Sequence, residues 1–257
     1  MKLTRRQSLA TLAAAAALPA RASRLTAAPA IRLVVLDVGG TIIEDRGDVP
    51  ALLRSALAHH GIEVTPAAIG QWRGASKREV VRRFVEQKAP PDADRDQLTA
   101  AIYREFSSQL NEVYRTVPPI AGAEDAFRKL AQSGYLLATT TGFDRDITTR
   151  IFRRLGWEHY FVASITSDDV VLGRPSPFML FHAMEFARVN SVAEVVAVGD
   201  TPLDLRAGSN AAMRGVVGVL SGVGTAEQLR REPHTHILPS VAALPALLGQ
   251  RRPLSAP

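Results

Sequence analysis

From Ile31 onward, short apolar runs rich in β-branched residues alternate with longer stretches in which apolar residues recur every three or four positions. The run IRLVVLD (31–37) is almost wholly apolar, ends in an acid and is followed by Gly39 and Gly40, the pattern of a strand covered on both faces that feeds a loop. Further runs at 135–140, 161–165, 195–199, 216–219 and 235–238 read the same way, and helical periodicity occupies 123–133, 144–155, 176–189, 203–213 and 241–248. Strands alternating with helices predict an α/β protein built on a doubly wound parallel sheet. Between Asp48 and Val117 the alternation stops: 49–61, 65–72, 76–87 and 94–114 are helical in pattern and no strand-like run intervenes. The predicted organisation is an α/β core of 31–47 and 118–257 interrupted by an all-helical cap of 48–117. An insert after the first strand roofs the crevice at the carboxyl ends of the strands, where several loops converge.

The first thirty residues follow another pattern. Lys2, Arg5 and Arg6 precede an apolar stretch from Leu9 to Leu18, which gives way to Ala20-Arg21-Ala22. A basic head, a short apolar core and a small-residue cleavage site describe a secretory signal peptide, and the arginine pair resembles the twin-arginine type. The apolar core is too short for a permanent anchor, so the expectation is a soluble periplasmic or secreted protein handled by export machinery, with no stable membrane insertion. Cleavage after Ala22 removes Lys2, Arg5, Arg6 and Arg21 and no acid, which lowers the formal charge from +6 to +2. A mature surface that close to neutrality, without a Lys/Arg stripe interleaved with aromatics, gives no footing for a nucleic-acid partner. The chain has no cysteine, which excludes thiol catalysis and cysteine-bound zinc and leaves packing rather than disulfides to hold the fold.

Four strand-end loops carry the candidate chemistry. Asp37-Val38-Gly39-Gly40-Thr41 offers a buried carboxylate next to backbone amides able to cradle an anion. Thr139-Thr140-Thr141-Gly142 offers hydroxyls, with Thr141 placed to cap the following helix. Gly173-Arg174-Pro175 holds a cation on a rigid turn, and Asp200 and Asp204 set two acids four positions apart, oxygen donors of the kind magnesium takes. A carboxylate, a hydroxyl, a cation and a pair of metal acids permit a covalent route. Asp37 attacks phosphorus; the metal ion, Thr139 or Thr140, Arg174 and loop amides offset charge on the phosphoryl oxygens; water then releases the group.

By these residues the chain resembles the haloacid dehalogenase-like superfamily from Ile31 to Leu248, with its motifs at Asp37, Thr139, Arg174 and Asp200 with Asp204. TTGFDRD (140–146), GRPSPFMLFHAM (173–184) and VGDTPLDLRAGSNAAM (198–213) are similar to the phosphonatase branch. The resemblance implies a Rossmann-like core with an inserted helical cap and Mg2+ held by Asp37, the Gly39 carbonyl, Asp200 and Asp204. It also implies an aspartyl-phosphate intermediate and pairing of two copies through the lid. Most of the superfamily carries a second aspartate two positions after the nucleophile as general acid; here that position is Gly39, and the phosphonatase branch likewise lacks the acid. Lys77 stands where that branch has a lysine that forms an imine with its aldehyde substrate. To react at neutral pH it needs a depressed pKa, from desolvation or from a neighbour such as Arg73 or Arg78. The chain departs from the branch at Arg73-Gly74-Ala75-Ser76, where Met-Gly-Leu-Leu is the pattern, and at Val80, where a histidine handles protons.

The implied activity is magnesium-dependent hydrolysis of a small phosphonate or phosphorylated carbonyl compound. The alternatives are a phosphomonoesterase and an exported protein that holds a phosphorylated ligand without turnover. Gly40 and Thr41 are expected at the phosphoryl group, Arg73 at a second anionic group of the substrate, and Trp72 against the substrate. His59 and His60 read as surface residues near a helix end, Asp168 and Asp169 as turn caps that could also orient Arg174, and Gly222 and Gly224 as a loop on the rim of the site.

Overall fold

The computed structural model describes residues 30–249, so the predicted export signal lies, but for Ala30, outside the described residues. Six strands, β1 (Leu33–Asp37), β2 (Leu136–Thr140), β3 (Ala163–Ile165), β4 (Val195–Gly199), β5 (Gly215–Val219) and β6 (His236–Leu238), form one sheet in the order β3-β2-β1-β4-β5-β6. Every neighbouring pair is parallel, with Asp37 in register with Thr140 and Leu36 with both Thr139 and Val198. Chain order runs outward from β1 in both directions. Loops from its two sides therefore diverge at its carboxyl end and open a crevice there.

All five residues of β1 are buried, as a central parallel strand requires. Alternation along it divides two cores. Leu33 and Val35 face one set with Met179, Leu180, Ala183 and Leu205, from α7 (Phe178–Phe186) and α8 (Pro202–Asn210). Val34 and Leu36 face the other, with Phe127 and Leu130 of α5 (Ala123–Gln132) and Ile147, Ile151 and Phe152 of α6 (Arg145–Leu155). Short α9 (Ala226–Arg230) and α10 (Leu244–Gly249) complete the layers. Each strand falls within two residues of the bounds its pattern predicts. α7 and α8 end before their predicted ends at 189 and 213 because left-handed residues stop them, Arg188 (φ 53°) just after α7 and Ala212 (φ 53°) just after α8.

The segment between β1 and α5 is helical: α1 (Asp48–His59), α2 (Pro66–Gly70), α3 (Lys77–Lys88) and α4 (Arg95–Tyr114). α4 packs on both α1 and α3, and Leu53, Leu57, Val81, Phe84, Ile102, Phe106 and Leu110 form its interior. Side-chain acceptors start the last three of these helices: Thr65 takes the amide of Ala68, Ser76 that of Glu79 and Asp94 that of Gln97. The two connections to the sheet run side by side, Ile120 N donating to Ile42 O (2.9 Å) and Glu44 N to Pro118 O (3.0 Å). Among the described residues no helix is long and apolar enough to cross a membrane.

Candidate active site

Asp37 ends β1 only 5% exposed, and the chain turns at once: the amides of Ile42 and Ile43 both return to Val38 O, and Gly40 N donates to Ile43 O at 2.7 Å. Gly40 sits at φ +77°, and a Cβ there would lie 2.5 Å from Asp200 Oδ2 and 2.9 Å from Gly222 Cα. Gly222 is equally confined, its Cβ position being 2.0 Å from the same oxygen. Glycine at both points lets two loops close around Asp200. Gly222 and Gly224 therefore pack on this acid rather than merely edging the site.

Arg174 organises the acids. Its guanidinium donates to Asp37 Oδ1 (2.6 Å), Thr140 O (2.8 Å), Thr140 Oγ1 (3.1 Å) and Gly74 O (3.3 Å), and pairs with Asp204 Oδ1 at 2.7 Å. Asp204 Oδ2 accepts from the Thr201 amide (2.9 Å) and hydroxyl (2.5 Å) in a capping box that starts α8. Asp200 Oδ2 accepts from Val223 N at 2.8 Å, whereas the buried Oδ1 has no partner among the described residues.

Asp37, Asp200 and Asp204 bring one oxygen each within 4.8 Å of the others, a group able to coordinate a metal ion. Its electrostatics favour a cation. Burial raises Asp37 to about 6 even though Arg174 pulls the other way, and Asp204 raises it further. Burial, then Asp37 and Asp204, hold Asp200 well above the carboxylate range. An unpaired oxygen among crowded acids with only oxygen donors fits a hard divalent ion.

The cap closes this floor. A Cβ on Gly142 would be 2.5 Å from Ala75 O and one on Gly74 would be 2.5 Å from Thr201 Oγ1, so the loop before α3 lies directly on the strand-end loops. Gly173 N donates to Glu79 Oε1 on α3 at 2.9 Å. Asp144 caps α6 through Ile147 N (2.9 Å) and also accepts from Tyr103 (2.8 Å) and Ser107 (3.0 Å) of α4. A cavity of about 50 Å³ remains, with Asp37, Arg174 and Asp200 on the sheet side. On the cap side, Leu53, Ile69, Trp72 and Val80 make an apolar wall interrupted by Arg73 and Lys77.

Lys77 is 8% exposed and its Nζ donates to Ala75 O at 2.8 Å, 5.7 Å from the centre of the Phe143 ring. Burial first and Arg174 second lower its pKa to about 8, against Asp37, Asp45 and Asp204. The depressing cation is thus Arg174, not Arg73, which is exposed, nor Arg78, which stacks on Tyr103 at 4.1 Å. Trp72 and Arg73 both line the cavity, with Arg83 stacked on Trp72 at 4.3 Å.

Other expectations meet a different geometry. Thr139 turns away from Asp37 and donates to Ser164 of β3 at 2.9 Å; one residue along the strand, Thr140 meets Arg174, and two along, Thr141 lines the cavity. Strand alternation separates Thr139 from Thr140, and Thr141 reaches the cavity because it lies just past the end of β2, where the alternation no longer holds. Thr141 does not cap α6, since Asp144 does; its hydroxyl accepts from Phe143 N at 3.2 Å. Thr41 is fully buried, with an Oγ1 that lacks a partner among the described residues, and Gly40 serves to admit Asp200. Gly39 lines the cavity under Phe143, 3.4 Å from its Cβ position. Asp168 and Asp169 hold Arg145 rather than Arg174, and His59 and His60 pair with Glu105 on α4. Asp45, Phe143 and Thr201 line the cavity without having been singled out by pattern; Asp45 is hidden in the polar run EDRGD.

Residues 31–212 match the pattern of the haloacid dehalogenase-like hydrolases. A phosphonoacetaldehyde hydrolase of Bacillus cytotoxicus is 28% identical over 209 residues, 75% of this chain and 76% of that protein. A phosphoglycolate phosphatase of Agrobacterium fabrum is 26% identical over 87% of this chain and 95% of its own length. The crystal structure of a phosphonoacetaldehyde hydrolase-like protein from Oleispira antarctica superposes with a TM-score of 0.73 at 23% identity, covering 86% of this chain and 92% of that one. The matched segment contains the sheet's first four strands, the cap and every acid of the cleft. The chain belongs to the haloacid dehalogenase-like hydrolases.

Proposed function

We propose that this protein is a phosphonatase-like hydrolase that removes the phosphoryl group from a small phosphonate or phosphorylated carbonyl compound. The observation that carries the reading is the buried amine of Lys77 in the same small cavity as Asp37 and Arg174, with its pKa drawn down to about 8. At neutral pH such an amine is uncharged in about one molecule in ten, which is enough to attack a carbonyl. Gly39 has no proton to give a leaving alkoxide, so a carbon leaving group relieved through an imine suits the site better than an ordinary phosphate ester.

In this reading Lys77 condenses with the substrate carbonyl and Asp37 attacks phosphorus. The C–P bond breaks with its electron pair drawn into the imine. The enamine that results takes a proton at carbon and is hydrolysed by water, which frees the carbonyl product and Lys77, and a second water hydrolyses the acyl phosphate left on Asp37. Arg174 orients Asp37 and meets the phosphoryl oxygens. Asp37, the Gly39 carbonyl, Asp200 and Asp204 would hold Mg2+, with Asp204 also paired to Arg174. When bound, the ion supplies charge neutralisation for carboxylate and phosphoryl group alike. The closed cap keeps water from the imine, and Arg73 at its edge is placed for a second anionic group. The reading includes export, supported by the pattern of residues 2–22, and a homodimer paired through the cap, supported by the family resemblance.

Borohydride added with phosphonoacetaldehyde and magnesium tests it. The expected result is loss of activity with an adduct on the peptide containing Lys77. Phosphate release from aryl phosphates with no adduct would replace the reading with a phosphomonoesterase, and ligand binding without phosphate release would replace it with a binding protein.

A further inference from the structure

Imine formation needs a group that moves protons, and neither position that serves this purpose elsewhere in the superfamily can act here: one is Gly39 and the other is Val80. The ionisable side chains lining the cavity are Asp37, Asp45, Arg73, Lys77, Arg174 and Asp200. Asp37 is held by Arg174 and reserved for phosphorus, Asp200 belongs to the metal cluster, and a guanidinium does not release its proton. Asp45 is left. It lies in the linker between the turn after β1 and the start of α1, outside the cluster of three acids. Its Oδ1 accepts from Gly47 N at 2.7 Å, a short-range turn that Gly47 permits by taking φ +79°. The carboxylate is thereby oriented by main chain alone, and Oδ2 makes no hydrogen bond to the described residues. Asp45 and Lys77 line the same cavity, and the charge of Asp45 opposes loss of the lysine's proton.

We infer that Asp45 is the proton carrier of the Lys77 chemistry, shuttling protons between the lysine nitrogen and the substrate's carbonyl oxygen. The inference rests on the imine reading of the site. The carboxylate first takes a proton from the Lys77 ammonium. The freed amine attacks the carbonyl carbon, the N–C bond forms and the C=O π pair moves to oxygen, which receives that proton. Asp45 then takes a second proton from nitrogen and gives it to the hydroxyl, which leaves as water while the nitrogen pair forms the iminium. Asp45 ends as the carboxylate it began as, and the two protons of the water come from the ammonium.

The test is the rate at which a borohydride-trappable adduct forms on Lys77 when the full chain is mixed with phosphonoacetaldehyde and magnesium. Asp45→Asn keeps the acceptor for Gly47 N and removes the base. It is expected to slow adduct formation about 100-fold, with the urea midpoint unmoved. Asp45→Ala is expected to be equally slow and to recover part of its rate in formate, which a purely structural role would not produce. A wild-type rate in Asp45→Asn overturns the inference while leaving the imine reading in place. Absence of any adduct in the wild-type protein overturns the imine reading itself, and this inference with it.

Discussion

Replacing Lys77 with methionine is expected to abolish turnover and make the protein more stable. A lysine that ordinarily titrates at 10.5 and is lowered to about 8 carries, while protonated in the folded state, a cost of about 3 kcal/mol relative to the unfolded chain. Methionine keeps an unbranched stem of similar length and removes the charge. It also removes the Nζ donor to Ala75 O, and that carbonyl without a partner gives back about 1 kcal/mol. The net gain at pH 7 is about 2 kcal/mol, or about 4–8 °C in Tm for a chain of this size. The advantage falls with pH in a defined way. Between pH 8 and 10.5 the wild-type folded state has shed a proton that the unfolded state still binds, so wild-type stability rises with pH across that window and the variant's advantage shrinks. Thermal unfolding of both proteins at pH 7 and pH 9.5, without metal, reads the effect directly. A Lys77→Met protein that melts lower at pH 7, or whose advantage is the same at pH 9.5, refutes the claim that burial depresses this amine.

Gly40→Ala puts a Cβ at φ +77°, 2.5 Å from Asp200 Oδ2, and should cost about 2–4 kcal/mol by urea unfolding while reducing stabilisation by magnesium. Asp200→Asn removes one of three crowded acids; the metal-free protein should gain about 1–2 kcal/mol, and added magnesium should no longer raise its midpoint. Asp144→Ala deprives α6 of its N-cap and leaves Tyr103 and Ser107 of the cap without their acceptor, a loss of about 2–4 kcal/mol in the same assay.

The core was legible because its strands carry their own evidence: a run such as LVVLD can be buried only on both faces, and glycines after an acid can only be a loop. The positions of Asp37, Asp200 and Asp204 follow from that, since each ends a strand or opens the segment after one, and Arg174 is marked by its proline-bounded turn just ahead of α7. What pattern could not resolve is which of three consecutive threonines faces the cleft, because it depends on the residue at which β2 ends: Thr139, inside the strand, lies against Ser164, and Thr141, just past its end, lines the cavity. Nor could it find Asp45, whose place in the cavity depends on where the helical cap closes over the sheet. The source of the Lys77 shift was hidden for the same reason. Arg73 and Arg78 are near in sequence, but the cation that reaches the amine comes from a loop about a hundred residues away.

The account as a whole turns on Asp37 meeting phosphorus. Rapid acid quench of the enzyme with phosphonoacetaldehyde and magnesium, followed by mass spectrometry of its peptides, should find one phosphoryl group on the peptide containing Asp37, absent from Asp37→Asn. Phosphate released at full rate with the label on another residue, or undiminished in Asp37→Asn, would contradict it.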